Sequence, residues 1–457
     1  GLKDWLCDVC CAMGFKKPFP IQQHCIPAIL QKRDVMGCAE TGSGKTAAFA
    51  LPILNELSED PYGIFGVVLT PTRELAMQIA EQFSAFGTAI SLKIALVIGG
   101  NSLVDQSIAL SRRPHIIIAT PGRLRHHVMS ADPPNFRMTR YLVLDEADRL
   151  LSSGFESDLA VIFNALPKKR NTLLFSATLT SSLNTLDQFT AKDTLKFDLT
   201  SDQKVPDTLL QQYLFVPPQV KVAFLVCVLK KMVQDEADLT EKLEDDISGN
   251  SGSKKKHGDD EPTLLQLKTS SVIIFVGSCK RCQEICELLA QMNVDCVSLH
   301  SMMNQHDRTN SLAKFKSQTC NILVATDVAS RGLDIPQVDV VLNFDLPKIA
   351  ADYVHRVGRT ARAGRSGRSL SFITPHDVEL LHSIEEYTEV KLTASTEVSE
   401  DDVLPLLNSV AKAMKLSSMK LMESGFEDRV DVITKRKKKQ RKLQLRQQRE
   451  RTAKEEE

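Results

Sequence analysis

The sequence predicts an α/β protein with two tandem, doubly wound parallel-sheet domains and a basic C-terminal tail. Short, nearly continuous apolar runs alternate with helical segments, and this rhythm occurs twice along the chain. Such runs are typical of strands that are buried on both faces of a parallel sheet. The length of 457 residues and the hydrophobic content of 42% also fit two cores better than one.

The first half contains six predicted strands, at residues 34–37, 66–70, 93–98, 115–120, 141–145 and 172–176. Helical segments between the strands imply right-handed crossovers and helices on both faces of the sheet. We assign residues 1–200 to the first domain. The polar segment 201–210, which contains Pro206, is interpreted as the linker.

The second half repeats this pattern, with predicted strands at residues 212–215, 272–276, 295–299, 321–326, 338–344 and 369–373. We assign residues 211–375 to the second domain. Residues 233–262 are acidic and then Ser/Gly-rich, and their low apolar content predicts a disordered insertion. Residues 376–457 form a helical extension and a basic tail, which is either a solvated helix or a disordered arm.

Charge and composition exclude several classes of protein. The formal net charge is +0, which neither indicates nor excludes nucleic-acid binding, because local patches matter more than totals. No run approaches the ~18 apolar residues of a membrane helix, so we expect no membrane partner. The 11 cysteines suit a reducing compartment. Two groups of them (Cys7, Cys10 and Cys11; Cys279, Cys282 and Cys286) have metal-like spacing, but they also fit one helix face and lack a second pair nearby.

A glycine-rich loop follows the first predicted strand and opens a helix; its residues are Ala39, Glu40, Thr41, Gly42, Ser43, Gly44, Lys45 and Thr46. Glycines let backbone N–H groups approach phosphate oxygens, and the helix N-terminus favours negative charge. We expect Lys45 to neutralise the β- and γ-phosphates and Thr46 to bind Mg²⁺. A simple turn before a helix is the alternative.

An acidic run, Asp145-Glu146-Ala147-Asp148, ends another apolar strand. Asp145 is suited to hold Mg²⁺, and Glu146 to orient or deprotonate the attacking water. Alone, such a run is usually a solvated loop. Together with the phosphate-binding loop, it predicts an NTPase.

Further motifs follow other strands, where ligands of open α/β sheets bind. They comprise residues 71–75, 120–123, 176–178 and 326–332. In this order, with the two motifs above, they resemble those of the DEAD-box RNA helicases of superfamily 2. The resemblance covers about residues 14–375. It implies two RecA-like domains that couple ATP and Mg²⁺ to local RNA unwinding.

The resemblance also assigns residue roles. Phe15 and Gln22 fall in the motif that reads adenine, although Phe19 stands where the family usually has threonine. Asp334 would contact ribose. The resemblance places Arg359 and Arg362 on the γ-phosphate when the domains close, within a motif that begins at His355. Ser176 and Thr178, acting through Asp148, would couple the nucleotide to closure.

The resemblance implies RNA contacts at Pro71, Thr72, Arg73, Gly100, Thr120, Pro121, Gly122, Arg123, Gly277, Arg308, Thr326 and Arg331. These motifs lack aromatic residues, so we expect backbone and 2′-OH contacts without sequence readout.

Two other functions use similar motifs: an ATP-dependent RNA clamp or assembly scaffold, and a DNA translocase of the same superfamily. Within the family, residues 57–65 and 300–303 look most like the branch acting in small-ribosomal-subunit biogenesis. The basic cluster 435–442 fits a nuclear or nucleolar address, with a solubilising tail as the alternative. We expect a monomer that acts on pre-ribosomal RNA and is tuned by a protein cofactor.

Overall fold

The structure is a computed structural model that describes residues 1–40, 42–152, 154–177, 194–199, 205, 208–248, 270–327, 338–361, 366–426, 428–430 and 432. For residues 152 and 236–248 it describes the backbone alone. Five predicted site residues lie outside this range: Thr41, Thr178, Arg331, Asp334 and Arg362. Most of the predicted linker and the tail from residue 433 also lie outside it.

The chain forms two compact units, each built around one sheet. Strands of the first unit are β1 (Val35–Cys38), β2 (Gly66–Leu69), β3 (Ile94–Val97), β4 (Ile116–Ala119), β5 (Tyr141–Asp145), β6 (Asn171–Ser176) and β7 (Leu195–Asp198). Its helices are α1 (Asp4–Ala12), α2 (Pro20–Leu30), α3 (Lys45–Leu57), α4 (Arg73–Phe86), α5 (Leu103–Ser111), α6 (Pro121–Val128), α7 (Ala147–Ser152) and α8 (Glu156–Ala165).

The first sheet is parallel, with the strand order β3-β4-β2-β5-β6-β1-β7. Its core has two layers, because successive strand residues point to opposite faces. In β4, Ile116 and Ile118 join one apolar cluster and Ile117 joins the other. This two-sided burial explains the continuous apolar runs in the sequence.

Strands of the second unit are β8 (Leu209–Phe215), β9 (Val272–Val276), β10 (Val297–Leu299), β11 (Ile322–Thr326), β12 (Val340–Asn343), β13 (Gly367–Ile373) and β14 (Thr393–Ala394). Its helices are α9 (Lys221–Ser248), α10 (Cys279–Gln291), α11 (Gln305–Lys316), α12 (Ala350–Val357), α13 (Val378–Thr388), α14 (Glu400–Val403) and α15 (Leu407–Glu423). The strand order is β10-β11-β9-β12-β13-β8-β14, which is the first order with every number raised by seven.

The shared order makes individual positions of the two sheets equivalent. Gly66 pairs with Tyr141 in the first sheet, and Val272 pairs with Val340 in the second. Counting four residues onward from Tyr141 and Val340 places Phe344 at the position of Asp145. The predicted fold class is therefore confirmed, with two topologically equal parallel sheets.

Each of the twelve predicted strands is present; two match the predicted ends, and the ends of the others differ by at most three residues. The two strands that the sequence did not predict, β7 and β14, lie at sheet edges. β7 reads Leu-Lys-Phe-Asp and alternates half-buried with exposed residues, so it lacks an apolar run. β14 has two residues, both exposed.

The prediction of a disordered insertion from residue 233 is wrong for residues 233–248, which continue α9. The first turns of this helix are anchored by buried residues from Val222 to Leu229. Once these turns are formed, the helix continues through a polar segment in which Asp and Glu are the commonest residues, because extending an existing helix is easier than starting one. Low apolar content was therefore not a sign of disorder in this segment. Residues 249–262 lie outside the described range.

The C-terminal extension packs on the second unit through α15, which lies against α10. Lys420 of α15 forms a 2.5 Å ion pair with Glu287 of α10. Beyond α15, Phe426 packs edge-on against His300 with ring centroids 5.8 Å apart. None of the helices in the described part of the chain has the length and hydropathy needed to cross a bilayer.

Candidate nucleotide and nucleic-acid sites

The glycine-rich loop connects β1 to α3, as predicted. Gly42 and Gly44 have φ values of 88° and 82°, a left-handed conformation that glycine adopts without a steric penalty. The loop is tied to the neighbouring strand, because the Ala39 N–H donates to the Ser176 carbonyl at 3.1 Å. Lys45 is the first residue of α3, so its ammonium and the free N–H groups of the first helical turn lie together.

Lys45 holds the loop in shape. Its ammonium donates to the carbonyl oxygens of Ala39, at 2.5 Å, and Glu40, at 2.8 Å. Burial lowers the pKa of Lys45, while the carboxylates of Asp145, Glu146 and Asp148 act in the opposite direction. The lysine is thus a partly desolvated cation, poised for an anion such as a phosphate group.

Gln22 joins α2 to the loop. Its side-chain oxygen accepts from the Phe19 N–H at 3.0 Å, and its amide nitrogen donates to the Gly44 carbonyl at 3.1 Å. A Cβ at Gly44 would lie 2.4 Å from that amide nitrogen, so this approach requires glycine. The oxygen and the nitrogen of the Gln22 side-chain amide each keep one further hydrogen-bonding position. This is the capacity that reading an adenine edge requires.

Two aromatic residues of the same motif precede Gln22 in the sequence. Phe15 packs edge-on against Phe86, with ring centroids 5.9 Å apart, so part of its ring belongs to the core. Phe19 precedes α2 and remains 48% exposed, although its ring lies close to Gly44. Thus the structure places Phe19 beside the loop and packs Phe15 against Phe86.

The acidic run follows β5, next to the loop. Asp145 is 4% exposed, and burial raises its pKa to about 7, with Lys45 opposing and Glu146 adding to the rise. Glu146 has a φ of 51°, an uncommon conformation that turns the chain sharply into α7. A buried carboxylate beside a single lysine suits an additional cation, so Asp145 fits a Mg²⁺ ion.

Mg²⁺ commonly uses few protein ligands and takes the others from phosphate and water. In the described ranges, His, Cys, Asp and Glu form no group of three or more that could hold a metal by themselves. Thr46, the second residue of α3, and Asp145 are therefore a plausible donor set only together with a nucleotide. The cysteine groups noted above lie on helices α1 and α10.

Ser176 links β6 to the acidic run. Its hydroxyl donates to the Asp148 carboxylate at 2.7 Å, while its carbonyl receives the Ala39 N–H. One residue therefore contacts both the acidic run and the loop. The structure brings together these sequence-predicted residues at the carboxyl ends of β1, β5 and β6.

A second site occupies the other half of the same edge, at the ends of β2, β3 and β4. It is a cavity of about 460 Å³, lined by Pro71, Arg73, Gly99, Thr120, Gly122, Arg123, His126 and Phe155. Burial and the nearby Arg73 lower the pKa of Arg123. Two guanidinium groups beside each other favour an anionic ligand.

The other predicted residues around this cavity have structural roles. Thr72 caps α4, since its hydroxyl accepts from the Leu75 N–H at 3.4 Å. Pro121 is buried at the first position of α6. Gly100 has a φ of 92°, which permits the turn after β3. Arg123 donates to the Asn101 carbonyl at 3.1 Å, and this contact aligns its side chain.

His126 and Phe155 were not predicted as site residues. They lie outside the motifs, and 29 positions separate them, as their numbers show. No local pattern connects them, because only the packing of α6 beside α8 brings both to one cavity. The Arg-His-His sequence at 125–127 was the available signal for a cationic, aromatic helix face.

In the second unit, Arg356 organises the equivalent edge. It forms a two-pronged ion pair with Asp327, at 2.6 and 2.7 Å. It also donates to Asn343 and to the carbonyl oxygen of Asp345. Arg356 is 2% exposed, so its role is to hold strand ends together. No role was predicted for this arginine from the sequence.

The remaining predicted residues of the second unit are dispersed along this edge. The Gly277 N–H donates to the Asp345 carboxylate at 2.8 Å. Arg308 and Thr326 are buried, at 4% and 5% exposure. Arg359 is 3% exposed, and its carbonyl accepts from the Val338 N–H. His355 lies in the last turn of α12.

Comparisons with known proteins agree with this geometry. The DEAD/DEAH box helicase family model matches residues 19–186, and the helicase conserved C-terminal domain model matches residues 260–364. The probable ATP-dependent RNA helicase DDX49 of Mus musculus is 47% identical over 440 residues, which cover 96% of this chain and 85% of the relative. The probable ATP-dependent RNA helicase DDX47 of Homo sapiens is 44% identical and covers 93% and 86%.

Solved structures show the same fold. The structure of Mss116p bound to ssRNA and AMP-PNP has a TM-score of 0.76 and 27% identity, covering 93% of this chain and 84% of that one. S. cerevisiae Dbp5 bound to RNA and ADP BeF3 has a TM-score of 0.72 and 26% identity, covering 91% and 98%. The chain therefore belongs to the DEAD-box family of ATP-dependent RNA helicases.

Proposed function

We propose that this helicase uses RNA-stimulated ATP hydrolysis to unwind short RNA duplexes or remodel ribonucleoproteins during small-ribosomal-subunit biogenesis. One observation supports the catalytic part. The carboxyl edge of the first sheet carries the phosphate loop on β1, β5 and β6 and the cationic cavity on β2, β3 and β4. The nucleotide and the RNA strand would then bind to two halves of the same sheet edge. Binding at one half would affect the other through the strand ends that the two sites share.

We assign the nucleotide half as follows. Gln22 and Phe15 contact the adenine, while the loop from Ala39 to Thr46 and the Lys45 ammonium bind phosphate. Mg²⁺ bound by Thr46 and Asp145 would offset phosphate charge. Glu146 orients the attacking water, and the Ser176–Asp148 hydrogen bond positions the acidic run against the loop. The short 2.7 Å contact supports this last role.

We assign the RNA half to the cavity of the first unit. The residues that bind phosphate and sugar there are Pro71, Thr72, Arg73, Gly100, Thr120, Pro121, Gly122 and Arg123. The two arginines supply the charge, because guanidinium groups bind phosphate in a two-pronged manner. The RNA named in the titles of the solved relatives supports RNA as the ligand.

In the second unit, the family resemblance supports RNA contacts at Gly277, Arg308, Thr326 and Arg331. It also supports ribose contact at Asp334. Arg359 and Arg362, together with His355, would stabilise charge on the γ-phosphate, a contribution that reaches ~10³-fold or more in related NTPases. Arg356 supports them by fixing the end of α12 to Asp327.

The pathway is proposed from the resemblance to the small-subunit branch. A nucleolar location fits the basic cluster at 435–442. The RNA is then a pre-ribosomal transcript bound through its backbone. We further propose that the protein acts as a monomer with a protein cofactor that tunes its activity.

Steady-state ATP hydrolysis tests the catalytic proposal. The purified chain is assayed alone, with single-stranded RNA, and with an equal mass of single-stranded DNA; a Lys45→Ala variant serves as the control. Stimulation by RNA alone, lost in the variant, is the expected result. Equal turnover without nucleic acid, or stimulation by DNA, would contradict RNA dependence. Crosslinking in cells to pre-ribosomal RNA tests the pathway, and crosslinking only to other RNA classes would contradict it.

A further inference from the structure

The amino edge of the first sheet lies opposite the edge that carries the sites described above, and it is strongly basic. Six segments lead from a helix into β1–β6 there, and they hold ten lysines and arginines but only four aspartates and glutamates. The cations are Lys32, Arg33, Lys93, Arg112, Arg113, Arg137, Arg140, Lys168, Lys169 and Arg170. We propose that this surface, the basic edge, binds the phosphate backbone of a second segment of the RNA held at the carboxyl edge. This inference rests on the proposed binding of RNA to the first unit.

Backbone hydrogen bonds join these segments side by side. The His115 N–H donates to the Lys93 carbonyl, and the Phe65 N–H donates to the His115 carbonyl, both at 2.8 Å. The Arg140 N–H donates to the Phe65 carbonyl and the Asn171 N–H to the Arg140 carbonyl, again at 2.8 Å. The segments therefore follow the sheet order β3, β4, β2, β5 and β6, with β1 next to β6. Because neighbouring strands lie about 4.8 Å apart, the six segments extend the cations over about 24 Å.

Much of this positive charge is not neutralised within the protein. Glu56 pairs with Arg140 at 2.8 Å and with Lys32 at 3.5 Å, so one carboxylate faces two cations. Five further cations are exposed and form no ion pair in the part of the chain that the structure describes: Lys93, Arg112, Arg137, Lys168 and Lys169. Burial, together with the charge of Lys93, lowers the pKa of His115. The basic edge therefore presents a positive field that a polyanion can compensate.

The second sheet has no such surface, so the shared topology does not require one. The described residues that lead into β9, β10, β11 and β12 include no lysine or arginine. They do include two aspartates, Asp295 and Asp339, whose charge would repel a polyanion. The basic edge is thus a property of the first unit's own sequence.

The side chains of the basic edge suit RNA. Six of its ten cations are arginines, whose guanidinium groups bind phosphate in a two-pronged manner. Tyr62 is 56% exposed, and its hydroxyl accepts from the Arg113 guanidinium at 2.8 Å. An aromatic ring is therefore held beside a cation. Stacking of a base on such a ring, with its phosphate on neighbouring cations, is how proteins bind nucleic acid without selecting a sequence.

The two edges belong to one sheet, so a single RNA molecule can occupy both. β5 has five residues, which at about 3.3 Å each separate its two ends by about 17 Å. A short strand bound at the carboxyl edge leaves the basic edge empty. An RNA that continues beyond the carboxyl edge reaches the second surface at a high effective concentration. The basic edge therefore favours long or structured RNA over a short strand.

The test uses the full chain with AMP-PNP and Mg²⁺, and it follows the binding of two fluorescent RNAs by anisotropy. One is a single strand of about six nucleotides, and the other is that strand continued into a hairpin stem of about 16 base pairs. We expect the wild-type protein to bind the extended RNA about tenfold more tightly than the short strand. A four-site variant, with Lys93→Glu, Arg112→Glu, Lys168→Glu and Lys169→Glu, should lose this gain. Its affinity for the short strand, and its ATP hydrolysis with that strand, should match those of the wild-type protein.

Salt dependence provides a readout that a merely structural role would not change. Each cation that contacts a phosphate adds about 0.7–0.9 to the slope of log affinity against log salt concentration. For the extended RNA, the slope should therefore fall by about 3 in the four-site variant. For the short strand, the slope should stay the same.

The matched control compares two double variants. Lys412→Glu with Lys415→Glu reverses two exposed lysines on α15 in the second unit, and it should keep the whole gain for the extended RNA. Lys168→Glu with Lys169→Glu reverses two lysines of the basic edge, and it should lose part of the gain. Thermal unfolding verifies that each variant is folded.

An unchanged gain for the extended RNA in the folded four-site variant would overturn the basic edge as an RNA-binding surface. If that variant also lost binding of polyglutamate that the wild-type protein retains, the edge would instead belong to an acidic polypeptide. A wild-type protein that binds the short strand but gains nothing from the extension would overturn this inference alone. A wild-type protein that binds neither RNA would overturn the proposed function and the inference with it.

Discussion

The two sheets have the same strand order but use their carboxyl edges in different ways. In each unit a lysine begins the helix that follows the first strand in the sequence. It is Lys45 after β1 in the first unit and Lys221 after β8 in the second. Lys45 contacts backbone carbonyls of the glycine-rich loop. Lys221 instead pairs with Asp345 at 3.3 Å, and its ammonium lies 4.9 Å from the centroid of the Phe344 ring.

The carboxylates differ in the same way. Asp145 in the first edge is buried with a raised pKa, and the equivalent position in the second edge is Phe344. The nearby Asp327 in the second edge is paired by both prongs of Arg356. One edge retains charge that a ligand can compensate, whereas the other compensates its charge internally. The strand order determines where a ligand-binding site can form. Charged side chains that are not neutralised within the protein then make that position able to bind a charged ligand.

The largest effect is expected when the ion pair between Arg356 and Asp327 at the second edge is removed. Arg356→Ala removes both bonds to Asp327 and two further hydrogen bonds, to Asn343 and to the Asp345 carbonyl. Breaking a largely buried ion pair by removing one member destabilises a protein by about 3–5 kcal/mol, and the 22% exposure of the Asp327 side chain places this case at the lower end. Urea unfolding should show this loss in the transition of the second unit.

Arg125→Ala is the matched control for that experiment. Its ion pair with Asp158 is partly exposed, at 44% for the arginine side chain. Exposed pairs contribute about 1 kcal/mol or less. Equal losses in the free energy of unfolding for Arg125→Ala and Arg356→Ala would contradict the claim that Arg356 neutralises the charge of the second edge.

The next effect concerns Asp145, whose pKa of about 7 exceeds the ordinary value of 3.8. Between these values the folded state binds more protons than the unfolded state, so stability falls as pH rises from about 4 to 7. At about 1.4 kcal/mol per unit, the contribution reaches roughly 4 kcal/mol for the nucleotide-free protein. Asp145→Asn should remove this slope, as measured by unfolding across pH. An unchanged dependence of stability on pH in Asp145→Asn would contradict a raised pKa for the Asp145 carboxylate.

His300 should show the opposite sign. It follows β10 in the second edge, and burial, with Arg308 nearby, lowers its pKa from 6.5 to about 4. The folded state binds fewer protons in this window, so stability is lost as pH falls from 6.5 towards 4. The expected loss is about 3 kcal/mol. His300→Gln should abolish it, and a variant with the wild-type acid response would contradict the assignment.

The smallest effect tests the position of Gln22. Phe19 precedes α2 without a side-chain cap, yet Gln22 already accepts the Phe19 N–H. Phe19→Thr supplies the missing hydroxyl and completes a capping box with Gln22. We expect a gain of about 1 kcal/mol in thermal stability. A loss would indicate that packing of the Phe19 ring, rather than the cap, positions Gln22.

The buried strands were predictable because burial on both faces leaves continuous apolar runs. β7 and β14 were not, because β7 alternates half-buried with exposed residues and both residues of β14 are exposed, so neither has such a run. The polar half of α9 was missed for a related reason: it continues the helix beyond Val233 without the apolar content from which an ordered element is predicted. Local composition therefore predicted the strands that are buried in the two cores. It missed the edge strands β7 and β14 and the polar half of α9.

The nucleotide site was predictable because its residues occupy short segments at strand ends. Lys45, Asp145 and Ser176 meet as the strand order requires. His126 and Phe155 were not predictable, since their meeting depends on how α6 packs beside α8. The structural use of Arg356 was equally hidden, because its motif also contains the arginines assigned to phosphate.

Calorimetric titration with Mg²⁺-ATP of the wild-type protein, Lys45→Ala and Lys221→Ala tests the central claim most directly. Both variants remove a lysine at the first position of the equivalent helix. We predict one nucleotide site in the wild-type protein and in Lys221→Ala, and loss of at least tenfold in affinity in Lys45→Ala, about 1.4 kcal/mol or more. A folded Lys221→Ala protein that no longer binds ATP, or a Lys45→Ala protein that binds it normally, would contradict the account.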